Sequence, residues 1–296
     1  MANPIMNVLK PYVDEQLNRE KLIAETVLAP KSASLMQLQT GVKGETTINL
    51  LNTDVVFGDG SSCGFESTST ATVSQRTIKP AIMKVNMALC ERDLLGTYAQ
   101  YQVKLKAGLV SVPFEEYILG AVADKAQAKL ETFVWQGDSS EAETQFDGIL
   151  TILAGESEAH KVTAKATEME TVLAVYNALP NEAHAEDTVI FASPSKFRAW
   201  IQELVAANMY HWNANDKDGE YLIPGTSTKV IAVPGLEGAD TYVGGRLSNF
   251  VYGVDIEDAA ETVKVVYDEV SEKFLVKMLF NAGVQVAFPN EIAYVG

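Results

Sequence analysis

Gly44-Glu-Thr-Thr-Ile-Asn-Leu-Leu-Asn-Thr-Asp-Val-Val-Phe57 is followed at once by Gly58-Asp-Gly-Ser-Ser-Cys-Gly64 and then by Phe65-Glu-Ser-Thr-Ser-Thr-Ala-Thr-Val-Ser-Gln-Arg-Thr-Ile78. The first piece, rich in Thr, Val and Ile, reads as a strand. The second is a turn cluster and the third a return strand. Two strands of this length, carrying so many Ser and Thr and so few large apolar residues, cannot bury themselves on a core of their own. An isolated two-stranded ribbon is marginal in water and presents unpaired edges. The arrangement makes sense if another copy of the chain covers it, which points to assembly rather than catalysis. The hairpin tip, Gly58, Asp59, Gly60, Ser61, Ser62, Cys63 and Gly64, is the candidate inter-subunit contact.

Outward from the hairpin, the whole chain has 296 residues, 47% of them hydrophobic and 21% charged. That is the composition of a folded protein, and the length exceeds a single core, so one multi-lobed unit or two domains is expected. The formal net charge of −16 argues against gripping nucleic acid by neutralising phosphates, which needs clustered Lys and Arg. The start of the chain agrees: Lys10, Arg19, Lys21 and Lys31 are interleaved with Asp14, Glu15, Glu20 and Glu25, so there is no basic arm. Cys63 and Cys90 are the two cysteines and imply no disulfide framework, so a reducing cytoplasm is the simpler expectation. No secretory signal pattern opens the chain, and no apolar run is long enough to span a bilayer.

Along the chain, Val8, Leu9, Tyr12, Val13, Leu17, Leu22, Ile23 and Val27 recur at roughly helical spacing, and Pro30 is expected to stop that pattern. After the hairpin, Ala81–Cys90 reads as an apolar strand. Pro113 opens the strongest helical pattern, with Glu115 and Glu116 in its first turn, where the helix dipole favours negative charge. Phe114, Ile118, Val122, Ala126, Leu130 and Phe133 fall on one face, and Gly137-Asp138 ends the pattern after Trp135. The middle third reads as α/β. Thr167 with Glu170 forms a capping box, Thr188–Ala192 is a short buried strand, and Ser193-Pro194 caps a further helix. Residues 209–225 read as a loop, and strands follow at 229–233, 241–243, 249–252, 263–267 and from 273 to 288.

Chemical motifs fail one by one. His160, His184 and His211 have no partner at metal-ligand spacing, so no metal is expected. The glycines of 58–64 precede a strand, whereas a phosphate-binding loop needs a helix N-terminus there. Asn215-Asp-Lys-Asp-Gly219 resembles part of a calcium loop, but aligning Gly219 with its glycine puts Ala214 and Gly225 where ligands belong. Cys63 lacks a cationic neighbour in sequence, and Cys90 reads as a buried thiol. Ser193 and Ser195 lack a glycine elbow, so a helix cap is the better account. Glu115-Glu116 and Asp255 with Glu257 and Asp258 read as helix-start and turn charges rather than acid/base pairs. No catalytic residue, cofactor or metal site is expected.

The order of features resembles the major capsid protein of tailed bacteriophages, the Hong Kong 97 fold. Phe133-Val-Trp-Gln-Gly-Asp138 followed by Phe146-Asp-Gly-Ile-Leu150 is similar to that family's passage from spine helix to axial domain. Val189-Ile-Phe-Ala-Ser-Pro-Ser-Lys-Phe197 resembles its strand-to-helix step, and Phe274 to Pro289 its closing strand pair. The resemblance spans essentially the whole chain. It implies an α+β fold with an N-terminal arm (1–35) and an extended β-hairpin loop (36–82). A peripheral domain (83–137 and 251–286) would carry a spine helix at 113–135, beside an α/β axial domain (138–250 and 287–296).

The implied function is structural: pentamers and hexamers of the chain forming an icosahedral shell around a double-stranded DNA genome. The shell would assemble in the host bacterial cytoplasm and become part of the virion. With residues 1–35 alone before the hairpin, scaffolding is expected from a separate protein, alongside a portal and possible auxiliary or decoration proteins. The DNA would be enclosed without tight specific binding, and no membrane is involved. One member of the family crosslinks subunits through a Lys and an Asn. Lys43 and Asn281 are the matching residue types, but no motif places them, so that chemistry is not carried over. Two alternatives stay open: an encapsulin-type nanocompartment shell, and a cytoplasmic α/β enzyme whose site would lie between Thr167 and Val233.

Overall fold

The structure, a computed structural model, describes residues 30–54, 56–57, 70–90, 114–141, 145–184, 187–211, 219–255 and 263–296, with the single positions 26, 93, 100, 103 and 106. Its longest strand is β12 (Lys273–Val286), where Phe274, Val276, Met278 and Phe280 are buried while Lys273, Leu275 and Lys277 are exposed. That period-two alternation is what a sheet covered on one face demands. β12 pairs antiparallel with β4 (Ala81–Cys90), with β11 (Val263–Asp268) and with β10 (Phe250–Asp255), and β10 pairs parallel with β1 (Gln37–Thr40). These five strands form the first sheet.

A second sheet has six strands in the order β5 (His160–Val162), β13 (Ala293–Val295), β9 (Tyr242–Arg246), β6 (Thr188–Ala192), β8 (Lys229–Ala232), β7 (Glu220–Leu222). Every residue of β6 is buried, because both faces of this sheet are covered. Val189 and Phe191 join the core shared with the first sheet, while Ile190 and Ala192 join a separate core. That separate core is filled from α4 (Glu168–Ala178) by Val172 and Val175, and from α5 (Pro194–Ala206) by Trp200 and Leu204. Both helices begin on side-chain caps: Thr167 accepts from the Glu170 N–H, and Ser193 accepts from the Lys196 N–H.

The two sheets are joined through α2 (Phe114–Gln136), a helix of 23 residues whose Leu119, Val122, Leu130, Val134 and Trp135 lie in the shared core. Its C-terminal end crosses two other backbones at close range. A Cβ on Gly137 would collide with the Phe146 carbonyl oxygen. One on Gly235 would collide with the Glu131 carbonyl oxygen and lie 2.5 Å from Trp135 Cδ1. Only a hydrogen fits at either crossing.

Pro30 is the N-cap of α1 (Lys31–Leu35), with a backbone already suited to helix entry, and the pattern it was expected to stop lies outside the described residues apart from Thr26. Three readings of the sequence are revised. Residues 37–40, read as part of the hairpin loop, form β1 in the first sheet, pinned by a parallel partner more than two hundred positions away. The segment read as a closing strand pair is one uninterrupted strand to Val286, followed by a 3-10 turn at Pro289–Glu291. The loop read at 209–225 contains β7, paired with β8. The helix α3 (Ile149–Gly155), short and apolar, was not read at all.

Gly235→Ala is expected to lower stability by about 1–3 kcal/mol, the usual cost of overpacking a tight site. Chemical denaturation of the purified chain would measure it, and an unchanged midpoint would contradict the close crossing.

Candidate interaction surfaces

The hairpin is a ribbon of two nine-residue strands, β2 (Thr46–Asp54) and β3 (Thr70–Ile78), paired antiparallel from Thr46 opposite Ile78 to Asp54 opposite Thr70. Among the described residues no third strand joins either edge. Its tip, Gly58 to Gly64, lies outside the described residues. The root is held firmly. Ile78 is buried against Val42 and Val251, and Gln285 Nε2 donates to the Thr77 carbonyl at 2.7 Å. Arg76 pairs with Glu156 at the end of α3. Beyond the root the ribbon stands off the body across a cleft of about 550 Å³ lined by Thr72, Ser74, Arg76, Glu158, Phe288 and Asn290.

The outward face of the ribbon carries an unusual pair. Leu51 and Val73 are directly cross-strand and 62% and 70% exposed, next to Asn49 and Gln75, whose side chains hydrogen-bond at 2.9 Å. Val56 and Phe57 continue the apolar character, Phe57 at 96% exposure. A cross-strand apolar pair stabilises a sheet when something covers it. Among the described residues nothing covers Leu51 and Val73, and an exposed apolar pair of this kind is a candidate contact surface.

The hydrogen bond from Arg76 holds the Glu156 carboxyl below the ordinary glutamate range, helped by the charge of the same guanidinium and opposed by partial burial. A carboxyl whose pKa is lowered by folding contributes its stability above the unfolded value and loses it as pH falls through the folded one. The root anchor is therefore complete at neutral pH and absent well below about pH 4. Arg76→Ala should weaken protection of the Thr77 and Ile78 amides at pH 7 by about 0.2–1 kcal/mol. Hydrogen exchange corrected for intrinsic rates would show this difference from wild type vanishing in acid. Equal protection at pH 7 would remove the pair from the anchor.

The described part of the N-terminal arm is latched to the spine helix. Ser32 gives both its N–H (3.0 Å) and its hydroxyl (2.5 Å) to the buried Glu131 carboxylate, while its Oγ accepts from Trp135 Nε1 at 2.6 Å. Lys31 Nζ donates to the Ala232 carbonyl at 2.8 Å. Burial, and then the nearby Glu131 carboxylate, push the Tyr252 phenol far above its usual range, so it stays protonated.

Of the residues placed on the spine-helix face, Val122 and Leu130 are buried, and Ala126 and Phe133 are half-buried. The side chains of Phe114 and Ile118 lie outside the described residues. The deepest stripe is rotated toward Leu119, Ala123, Val134 and Trp135. Ala126, Leu130 and Phe133 instead border a groove of about 260 Å³ shared with Met83, Val85 and Phe280. Lys129 lies over the Phe133 ring at 5.0 Å.

The residues weighed for chemistry mostly resolve into structural roles. The polar cluster between Thr167 and Val233 serves helix ends. Glu203 accepts from the Glu168 and Met169 N–H groups at 3.0 and 2.7 Å, Lys196 pairs with Glu168 at 2.7 Å, and Tyr242 donates to Glu168 at 2.9 Å. Ser193 Oγ lies 2.9 Å from Ser195 Oγ and caps α5. His160 Nε2 meets the Asn290 carbonyl at 3.0 Å, and the His184 ring lies tilted against Tyr176 at 4.5 Å. Cys90 ends β4 half-buried, opposite Lys273. Cys63 and residues 214–218 of the calcium-like loop lie outside the described residues. Among the described residues no group of three or more His, Cys, Asp or Glu is gathered as for a metal. Asn281 does meet Lys43, but its Nδ2 donates to the Lys43 backbone carbonyl at 3.4 Å, so the contact runs through the main chain.

No family model matches the sequence, and no curated protein matches it. Solved structures do. A chain of the satellite phage P4 procapsid, in a structure including the size-determination protein Sid, aligns with a TM-score of 0.64 at 10% identity, covering 93% of this chain and 89% of that one. A chain from the capsid of an empty GTA particle aligns at 0.53 with 13% identity, covering 92% and 89%. The virus-like particle from Pyrococcus furiosus aligns at 0.53 with 11% identity, covering 93% and 96%. The chain thus has the α+β fold of tailed-phage major capsid proteins. Among the described residues no helix is long and apolar enough to cross a membrane.

Proposed function

We propose that this chain is the structural subunit of an icosahedral phage shell, assembling as pentamers and hexamers around double-stranded DNA. The observation that carries the reading is the anchored ribbon with open edges and an exposed Leu51–Val73 pair. Such a ribbon on a chain with a capsid protein's fold is satisfied by a neighbouring copy. In this reading the first sheet and α2 form a peripheral domain, the second sheet with α4 and α5 an axial domain, and α1 belongs to an arm latched beneath them. The groove beside Phe133 and the tip at Gly58 to Gly64 are surfaces between subunits. The chain is a building block and not an enzyme.

A closed shell of many copies draws its strength from summed weak contacts instead of one tight site. Scaffolding, portal and auxiliary proteins are expected as separate chains, and the shell forms in the host cytoplasm before becoming the virion. The net charge of −16 favours an inner wall that leaves DNA mobile. Short duplex DNA added to free subunits at moderate salt should show negligible binding by fluorescence anisotropy, and tight binding would refute this point. The likeness to the Pyrococcus virus-like particle favours one second reading, an encapsulin-type compartment enclosing proteins.

Negative-stain electron microscopy with the elution volume of the purified chain tests both readings. Closed or partial shells, or rings of five or six, are expected, and their diameter and contents separate phage from compartment. A uniform monomer or dimer, unchanged by concentration or by a scaffolding protein, would overturn the shell reading.

A further inference from the structure

The solvent face of the first sheet gathers lysines, although the chain as a whole carries a net charge of −16. β11, β12 and β4 lie side by side, and Lys264 stands directly opposite Lys277. On the other flank of β12, Lys84 stands opposite Leu279, one diagonal step from Lys277. Strand geometry puts the direct pair about 5 Å apart and the diagonal about 7–8 Å. All three lysines are exposed, and none of them makes an ion pair among the described residues.

Lys273, further along β12, differs. It faces Asp268 across the strands, and Glu269 and Glu272 stand exposed in the turn beyond it. Asp268 is kept ionised first by the Ser271 hydroxyl and the Val270 N–H, with a smaller share from the Lys273 charge. Asp255, opposite Asn281, marks the other end of the region. The unbalanced positive charge therefore belongs to Lys84, Lys264 and Lys277. Apolar residues bracket it. The cross-strand pair Val266 and Leu275 lies on one side, 57% and 40% exposed, and Ile82, 66% exposed, lies on the other.

Like charges directly opposite on a sheet repel. The Lys264–Lys277 pair thus works against the fold of the chain alone, and an anion laid over it offsets the repulsion. Duplex DNA is a poor match, because it would press a hydrated phosphate backbone onto Val266, Leu275 and Ile82. Interfaces for DNA are polar and strongly positive throughout. A polypeptide that alternates carboxylates with apolar side chains matches both parts of the face. The dimensions agree as well. Three strands span roughly 10 Å between their outer axes, the width of one α-helix. The ten residues of β4 run about 33 Å, the length of about twenty-two helical residues.

We propose that the face of β4, β12 and β11 around Lys84, Lys264 and Lys277 docks an acidic amphipathic helix of a separate polypeptide. Its carboxylates meet the three lysines, and its apolar stripe covers Val266, Leu275 and Ile82. The net charge of the chain repels an acidic partner elsewhere, which makes this face the specific point of contact. The proposal goes beyond the shell reading and does not depend on it, since a free subunit displays the same face.

The test titrates the full chain against a fluorescein-labelled synthetic helix of about twenty residues, with Glu and Leu in an amphipathic repeat, by fluorescence anisotropy. A peptide of the same composition in shuffled order and a short DNA duplex serve as controls. Saturable binding of the amphipathic peptide is expected, at least tenfold tighter than that of either control. Lys264→Gln with Lys277→Gln should weaken it at least tenfold, while the melting midpoint holds or rises because a like-charge pair is gone. Val266→Ser with Leu275→Ser should weaken it severalfold. No saturable binding, or equal binding by the lysine variant, would overturn the proposal. Tighter binding of the duplex, lost in the lysine variant, would overturn it by assigning the face to nucleic acid. Loss of the chain's own oligomers in that variant, with the peptide unbound by wild type, would overturn it in favour of a second copy. None of these outcomes alters whether the wild-type chain forms shells, so the two readings fail separately.

Discussion

Trp135 is the point on which the arrangement turns. It is fully buried at the C-terminal end of the spine helix, with its ring 4.9 Å from Phe191 and 6.3 Å from Phe250. Phe191 belongs to the second sheet and Phe250 begins β10 of the first, so one indole packs against both. Its N–H cannot be left unpaired in such a site without a cost of order 1–3 kcal/mol, and Ser32 of the arm accepts it. Ser32 in turn supplies two donors to Glu131, a carboxylate that burial would otherwise penalise heavily. Two sheets, a helix and the arm are thereby fixed by one aromatic side chain and its polar handle. Gly235 completes the site because any side chain there would displace the indole.

That rigidity explains why the ribbon can remain unsatisfied. The body has a shared core and a second core behind the six-stranded sheet, and neither contains a residue of β2 or β3; Ile78 and Ile48 pack at the root in a small separate cluster with Val42 and Val251. A ribbon that contributed to the core could not project an apolar pair into solvent without loosening the fold. Here the hairpin is stabilised where it leaves the body, by Arg76, Thr77 and Ile78, and its outer half is left available. Local stability in this chain is thus graded, high where the ribbon meets the body and lower toward its outer half.

How much of this could be read from residues alone follows the range of the interactions. The caps at Thr167 and Ser193 depend on neighbours three positions away, the buried strand at 188–192 shows as an apolar run, and the hairpin as two strand patterns on either side of one turn cluster, so all are legible in the local sequence. The short helix after Pro30 was not placed because a proline can either close a helix or open one, and the Ser32–Glu131 contact that holds α1 comes from a distant helix. β1 was missed because Gln37-Leu-Gln-Thr40 alternates weakly, and its strand character comes from Val251 to Val254. The spine face was placed about one position away from its deepest stripe because Trp135 and Glu131 are drawn inward by Phe191 and Ser32. A carboxylate is never scored as core by its type. Lys84, Lys264, Lys273 and Lys277 are likewise scattered through the sequence, and only strand register brings them onto one sheet face.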